Sequence, residues 1–270
     1  MSIHPEKNVE LCTDLQETYL HEFPEHRVIT LLGYGSMIDG RSTASDIDVY
    51  MLLDDFHRDD VVHARNAASR LPAEVDLTLH YASEMPENPN RFRLGKKSCL
   101  ALAYLASAEL LHGENVPALM FEGLSPPTFR ASAMQAAFYY VGQMRKEMSS
   151  AAIDQATMSK HMTKYFARFL IDSMLFYEKT TFEPYKYLMP QDVVDMAREH
   201  EWLAVNFRGS SEQPDDLEKL ELMHHIHNEL RLANWQMRRS EDMARENQAV
   251  GRTPASNPLS VIQRNRSRSI

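Results

Sequence analysis

The stretch from Arg27 to His80 constrains the fold more than any other part of the chain. Arg27 to Leu32 is β-branched and apolar, the pattern of a buried strand. Gly33-Tyr34-Gly35-Ser36 follows as a tight turn, and Asp39-Gly40 is a second turn signal. Ile47 to Leu53 is another apolar strand, closed by the charged turn Asp54-Asp55. His57 to Arg70 reads as a polar helix. Glu74 to His80 then alternates with period two. Glu74, Asp76, Thr78 and His80 fall on one face, and Val75, Leu77 and Leu79 on the other. The alternation predicts a half-buried strand with a polar face available for chemistry.

The flanking segments are helical in pattern. Asp14 to Glu22 places Leu15 and Tyr19 on one face, and Pro24 stops that helix. Beyond Arg91 the texture changes. Lys97 to Leu111 predicts one long apolar helix ended by His112-Gly113. Leu124-Ser125-Pro126-Pro127 reads as a linker. Helical patterns then dominate, over about 130–148, 155–178, 190–207 and 215–246, with breaks at Phe182-Glu183-Pro184 and Gly209-Ser210-Ser211. The expected class is α+β. An α/β domain with a mixed sheet spans 1–125, and an all-helical bundle spans 126–250. Residues 251–270 form an expected disordered basic tail, with Arg252, Arg264, Arg266 and Arg268 among Pro, Ser and Asn. The other reading of the tail is a weak polyanion-binding arm.

Composition narrows the function classes. A hydrophobic fraction of 43% permits a real core. Cys12 and Cys99 are too few and too far apart for a disulfide framework or metal cluster, so both are expected buried and reduced. The first seventeen residues lack an apolar core of the secretory kind. The run Cys99 to Leu111 is too short to span a bilayer and carries Glu109. A soluble, cytoplasmic protein without membrane partners is expected. The net charge of −9 disfavours nucleic acid, because affinity for duplex phosphates comes mainly from a basic face. It favours a small or cationic partner.

The chemistry concentrates in Gly35-Ser36, Asp46-Ile47-Asp48 and Asp76. Asp46 and Asp48 are two apart on a strand, so they share a face and can grip one or two hard cations. Asp76, on a neighbouring strand, can complete such a site. Gly35 lets backbone approach phosphate, and the Ser36 hydroxyl and nearby N–H groups can bind its oxygens. The set suits a magnesium-bound nucleoside triphosphate. The alternative is an unfunctional strand end, but two carboxylates on an apolar strand repel unless something positive neutralises them.

Gly35-Ser36, Ser45-Asp46-Ile47-Asp48-Val49 and Asp76, between apolar strands, resemble the signature of the DNA polymerase β-like nucleotidyltransferase superfamily. The whole-chain layout is similar to the aminoglycoside adenylyltransferases acting on streptomycin and spectinomycin. Leu110 to Leu119 and Lys160 to Lys186 look like corresponding parts of theirs. The resemblance implies magnesium, two ions, and ATP or another nucleoside triphosphate as donor. It implies transfer of a nucleoside monophosphate to a hydroxyl of a small cationic acceptor, with release of pyrophosphate. The third carboxylate acts as general base in that family, a role that falls on Asp76, where those enzymes commonly carry Glu. Glu74, on the same face, is a second candidate. Alternative readings are the same chemistry on a tRNA end or a protein hydroxyl, as in toxin–antitoxin systems, or a non-catalytic nucleotide-binding or antitoxin-like protein.

Further candidates carry a functional and a plain reading. Arg41 can touch phosphate or be an exposed turn residue. Arg168, Lys179 and Lys186 can reach the β- and γ-phosphates and stabilise leaving pyrophosphate, or be solvated helix charges. Asp154 and His161 lie where the resembled family's helical domain touches its acceptor, or are simply solvated. Only His224 and His227 of the cluster at 224–227 share a helix face, which is an incomplete metal site and reads as structural. The helices around Phe138-Tyr139-Tyr140 and Met174 to Tyr177 read as core.

Overall fold

A computed structural model describes residues 8–35, 38, 46–149, 153–186 and 188–247, without the side chains of Asp46, 95–97 and 242–247. The chain is α+β. Among the described residues four strands form, β1 (Val28–Tyr34), β2 (Asp46–Leu53), β3 (Glu74–Tyr81) and β4 (Glu109–Gly113), in the sheet order β3-β2-β1-β4. β1 is antiparallel to β2 and β4, and β2 is parallel to β3, so the sheet is mixed. The helices are α1 (Val9–Glu22), α2 (Asp60–Ser69), α3 (Ala101–Ala106), α4 (Val116–Glu122), α5 (Pro126–Met148), α6 (Gln155–Tyr177), α7 (Pro190–Glu199) and α8 (Asp216–Asn247).

Period two in β2 divides the core. Ile47, Val49, Met51 and Leu53 are buried on one side with Leu15, Tyr19 and Phe23 of the α1 region and Ala64 and Ala67 of α2. Tyr50 and Leu52 face the other way, with Leu32 of β1. They enter one continuous apolar cluster with α3, α5, α6 and α8, including Phe129, Phe166, Phe169 and Ile226. The sheet therefore seats the helical half directly on its second face. Leu124 and Phe129, which flank Ser125-Pro126, belong to this same cluster.

A buried charge pair ties the first two strands to α2. The Arg27 guanidinium donates from Nη1 to Asp60 Oδ1 at 2.7 Å and from Nη2 to the Asp55 carbonyl at 2.7 Å. Its Nε donates to Asp54 Oδ1 at 3.2 Å. Burial would raise the Asp60 pKa, but the Arg27 hydrogen bonds and the His57 backbone N–H outweigh it, and the carboxyl sits below its ordinary value.

The apolar run at 97–111 departs from expectation. It forms a 3₁₀ turn over Gly95–Leu100, the short α3, and then strand β4. Periodicity alone does not separate a buried helix from a buried strand in such a run. Tertiary context decides: β1 has a free edge, and β4 covers it by pairing Leu32 with Leu110 and Leu31 with His112. Gly113 ends this strand, not a helix, at φ +77, where a Cβ would overlap the Ile29 carbonyl. The helix expected over 190–207 also divides, into α7 and a 3₁₀ turn at Ala204–Phe207. The expected linker at 124–127 instead starts a helix: Pro126 occupies the first turn of α5, where its missing N–H costs nothing. Cys12 and Cys99 are both buried and free. The tail at 251–270 lies outside the described residues. No described helix is long and apolar enough to cross a membrane.

Candidate active site

The register of three strands builds the centre of the site. Tyr34 pairs with Asp48 across β1 and β2, and Asp48 pairs with Asp76 across β2 and β3. Paired residues project to the same face, so Tyr34, Asp48 and Asp76 form a row across the sheet, with about 4.8 Å between neighbouring strands. Thr78 is next on the same face of β3. Asp48 is half-buried, whereas Asp76 and Glu74 are exposed.

Gly35 follows β1 at φ +88, a conformation open to glycine and strained for other residues. A Cβ at Gly35 would overlap Asp48 Oδ2, so the backbone is pressed against the carboxylate. Behind the row, Tyr34 is hydrogen-bonded to Thr78. Its pKa is pushed up to about 12 by burial first, then by the charge of Asp48, with Asp76 adding to it. The phenol therefore stays protonated. Tyr50 is buried in the core on the same face of β2, its hydroxyl 3.4 Å from His80 Nδ1. Burial lowers the His80 pKa and favours the neutral ring.

Above the row lies a cleft of about 750 Å³. Tyr34, Gly35, Asp48 and Thr78 line its sheet wall. The charged residues of the opposite wall are Lys164 and Arg168 on α6 and Lys186 beyond it. The α6 residues Lys164, Ala167, Arg168 and Ile171 recur at helical spacing and present one stripe to the cleft. Tyr104, Tyr139 and Tyr140 complete an aromatic lining. The arrangement sets the Asp48 carboxylate against cations across a space large enough for a small organic molecule, while Asp76, its neighbour on β3, does not line the cleft.

Arg168 is held from several sides. Its guanidinium lies 5.1 Å from the Phe182 ring centre and 5.8 Å from that of Tyr104, and the two rings stack at 4.4 Å. Burial works against its charge, but Tyr104, Tyr140 and Asp172 outweigh burial and raise its pKa. Nη1 is buried without a hydrogen-bond partner among the described residues. Lys186 donates from Nζ to the Ser107 carbonyl at 3.2 Å.

The other candidates separate from this centre. Asp46 pairs through its backbone with Glu74 at the start of β2, and its side chain lies outside the described residues, as do Ser36 and Arg41. Asp154 caps α6, accepting from the Thr157 N–H at 3.0 Å, and is exposed. His161 lies 3.2 Å from Glu147 and does not line the cleft. Lys179 is spent on the Glu122 carbonyl at 3.2 Å and the Phe121 ring at 5.0 Å. His227 stacks on Phe138 at 4.6 Å, and His224 meets Arg145. Among the described residues no group of three His, Cys, Asp or Glu side chains could hold a metal.

The tyrosines are a correction to the sequence reading. Tyr139 and Tyr140 are not simply core: they line the cleft, while Phe138 is 48% exposed. Tyr104, Lys164 and Asp172 had no local signal. Each becomes visible only when α3, α5 and α6 pack together.

No protein-family model matches the chain, and no curated protein matches it. Among solved structures the chain is similar to spectinomycin adenyltransferase AAD(9) from Enterococcus faecialis, a structure with ATP and spectinomycin. The similarity has a TM-score of 0.48 at 12% identity and covers 83% of this chain and 99% of that one.

Proposed function

We propose that this chain transfers a nucleoside monophosphate, AMP from ATP in the leading case, to a hydroxyl of a small molecule. The observation that carries the reading is the pairing of walls in one cleft. Asp48 and Gly35, with Asp76 beside them, face Arg168 and Lys186 across it. Carboxylates suit hard cations, and cations suit phosphate oxygens, so the two walls together suit a metal-bound triphosphate.

The donor set fits magnesium. Two carboxylates stand side by side on paired strands, and the glycine backbone lies against one of them, where a Cβ would intrude. Asp48 and Asp76, with Asp46, would hold the ion, which when bound neutralises phosphate charge and polarises the phosphorus centre.

The chain's own groups perform the rest. Gly35 admits the triphosphate close to the backbone, where Ser36 and Arg41 are proposed to contact it. Asp76, exposed beside Asp48 on the sheet, accepts the proton of the acceptor hydroxyl, with Glu74 on the same strand face as the second candidate. The acceptor oxygen bonds to the α-phosphorus, the bond from that phosphorus to the β-bridging oxygen breaks, and pyrophosphate leaves. Arg168 and Lys186 stabilise the charge that builds on the leaving group. Asp154 and His161, placed away from the described lining, are not assigned to the acceptor. A polycationic acceptor such as an aminoglycoside would meet like charge at Lys164, Arg168 and Lys186, so the carboxylates of β2 and β3 must hold it.

The test uses purified protein with magnesium, triphosphates labelled at the α-phosphate, and a panel of hydroxyl acceptors that includes aminoglycosides. The expected result is a labelled adduct formed with equimolar pyrophosphate and abolished in Asp48→Ala. No adduct, no pyrophosphate and no ATP binding would overturn the reading.

A further inference from the structure

Behind the helical wall of the cleft lies a buried carboxylate, Asp172, that the transfer mechanism leaves unexplained. Asp172 is fully buried on α6, one helical turn from Arg168. Tyr104 of α3 donates its hydroxyl to Asp172 Oδ1 at 2.6 Å. Tyr104 also supplies one of the two stacked rings against the Arg168 guanidinium, and Phe182 supplies the other. A carboxylate taken fully out of water is costly unless it is paired and hydrogen-bonded. Here the cluster sets that carboxylate against a phenol and the field of a guanidinium, which itself is hydrogen-bonded to Tyr104 and whose Nη1 is buried without a partner among the described residues.

We infer that Tyr104 and Asp172 are positioning residues that hold Arg168 charged and immobile at the cleft wall, where it meets a phosphate oxygen of the triphosphate. The inference rests on the proposed nucleotidyl transfer.

Each part has a distinct task. Asp172 balances the arginine charge, which burial opposes. Tyr104 couples the two: its hydroxyl is fixed by Asp172, so its ring face stays against the guanidinium. Burial and the Asp172 charge push the Tyr104 pKa well above its ordinary value, so the phenol remains a donor at any working pH. The stacked pair of rings packs against the guanidinium and restricts its movement. An arginine of this kind loses little side-chain entropy on meeting phosphate, because the protein has already ordered it.

The assignment predicts coupling. Arg168→Gln removes one charge-assisted contact and should weaken ATP binding about tenfold to a hundredfold. Asp172→Asn keeps an acceptor for Tyr104 but removes the balancing charge, and should weaken binding about tenfold through Arg168. Combined with Arg168→Gln, it should add almost nothing, because its effect acts through an arginine that is no longer there. Tyr104→Phe, which keeps the ring, should weaken binding by a smaller factor and show the same loss of effect in the Arg168→Gln background.

The experiment is calorimetric titration of the full chain with magnesium and ATP, for the unaltered protein, the three single variants and the two doubles, with thermal melts alongside. Sub-additive doubles support the inference. Additive doubles, or unchanged affinity in both Asp172→Asn and Tyr104→Phe while Arg168→Gln binds weakly, overturn it and leave the transferase reading standing. If Asp172→Asn does not fold, the Tyr104→Phe cycle decides alone. No ATP binding by the unaltered protein overturns the proposed function and this inference with it.

Discussion

The two walls of the cleft are built in opposite ways. The sheet wall is local in sequence: Tyr34, Gly35 and Asp48 lie within fifteen residues, and Asp76 joins through one parallel crossover. Strand register alone sets their row. The helical wall is assembled from α3, α5, α6 and the segment beyond α6, and Tyr104 meets Asp172 across 68 residues of chain. The sheet wall gathers negative charge and the helical wall positive charge. An acidic floor, made from few residues, thus faces a cationic roof whose geometry depends on the packing of the whole helical half.

The largest effect should fall on the floor. Asp48→Ala should reduce transfer by about a thousandfold or more, the scale of losing an electrostatic group aimed at the reacting phosphate. Initial rates at saturating triphosphate, with a melt to establish folding, measure it. A variant within tenfold of the unaltered protein would remove Asp48 from the chemistry and break the contrast between walls.

The sheet that carries the floor is tied to α2 by the Arg27–Asp60 pair. Asp60→Asn should destabilise the protein by up to about 3–5 kcal/mol, because it removes the buried carboxylate and leaves the Arg27 charge with only the less buried Asp54. Urea denaturation measures it. The folded-state pKa of Asp60 is depressed, so its contribution is fully present above the unfolded value and is lost as pH falls through the lower, folded one. The stability gap between the unaltered protein and Asp60→Asn should be constant above about pH 5 and close below about pH 4. A gap that persists at low pH would show that the pair does not act through charge.

Gly35→Ala probes the seam between floor and substrate. It forces a side chain into a positive-φ position and onto the Asp48 carboxylate, with a strain of about 1–3 kcal/mol. Metal-dependent ATP binding should weaken more than folding stability does. Equal binding in the two proteins would show that the turn adjusts freely.

The smallest effect is expected at Asp154. Its carboxylate caps α6, and the Thr157 side chain and backbone N–H hold its pKa below the ordinary value. Asp154→Ala should lower the thermal midpoint slightly and leave turnover unchanged. Altered acceptor KM without loss of stability would return Asp154 to the acceptor site.

The same contrast explains what the sequence made legible. Period-two alternation at 74–80 and the spacing of Gly35, Asp46 and Asp48 lie within single strands and one turn, where local rules hold. They identified the sheet and its acidic face. Arg168 and Lys186 were visible as candidates, and the fold brings both to the cleft. The run at 97–111 was misread because β4 exists only to cover the edge of β1, a demand arising some eighty residues upstream. Tyr104 and Asp172 carried no pattern at all. A tyrosine in an apolar run and an aspartate in an apolar helix become a pair only when two helices pack, and no spacing within either helix announces it.

The central claim is that the two walls act on one ligand by different means, and the magnesium dependence of ATP binding tests it most directly. Affinity should be measured with and without magnesium for the unaltered protein, Asp48→Ala and Arg168→Gln. The unaltered protein should bind ATP more tightly with magnesium. Asp48→Ala should lose that dependence, while Arg168→Gln should keep it at a lower overall affinity. Magnesium dependence surviving intact in Asp48→Ala, or disappearing in Arg168→Gln, would contradict the division of labour between the walls.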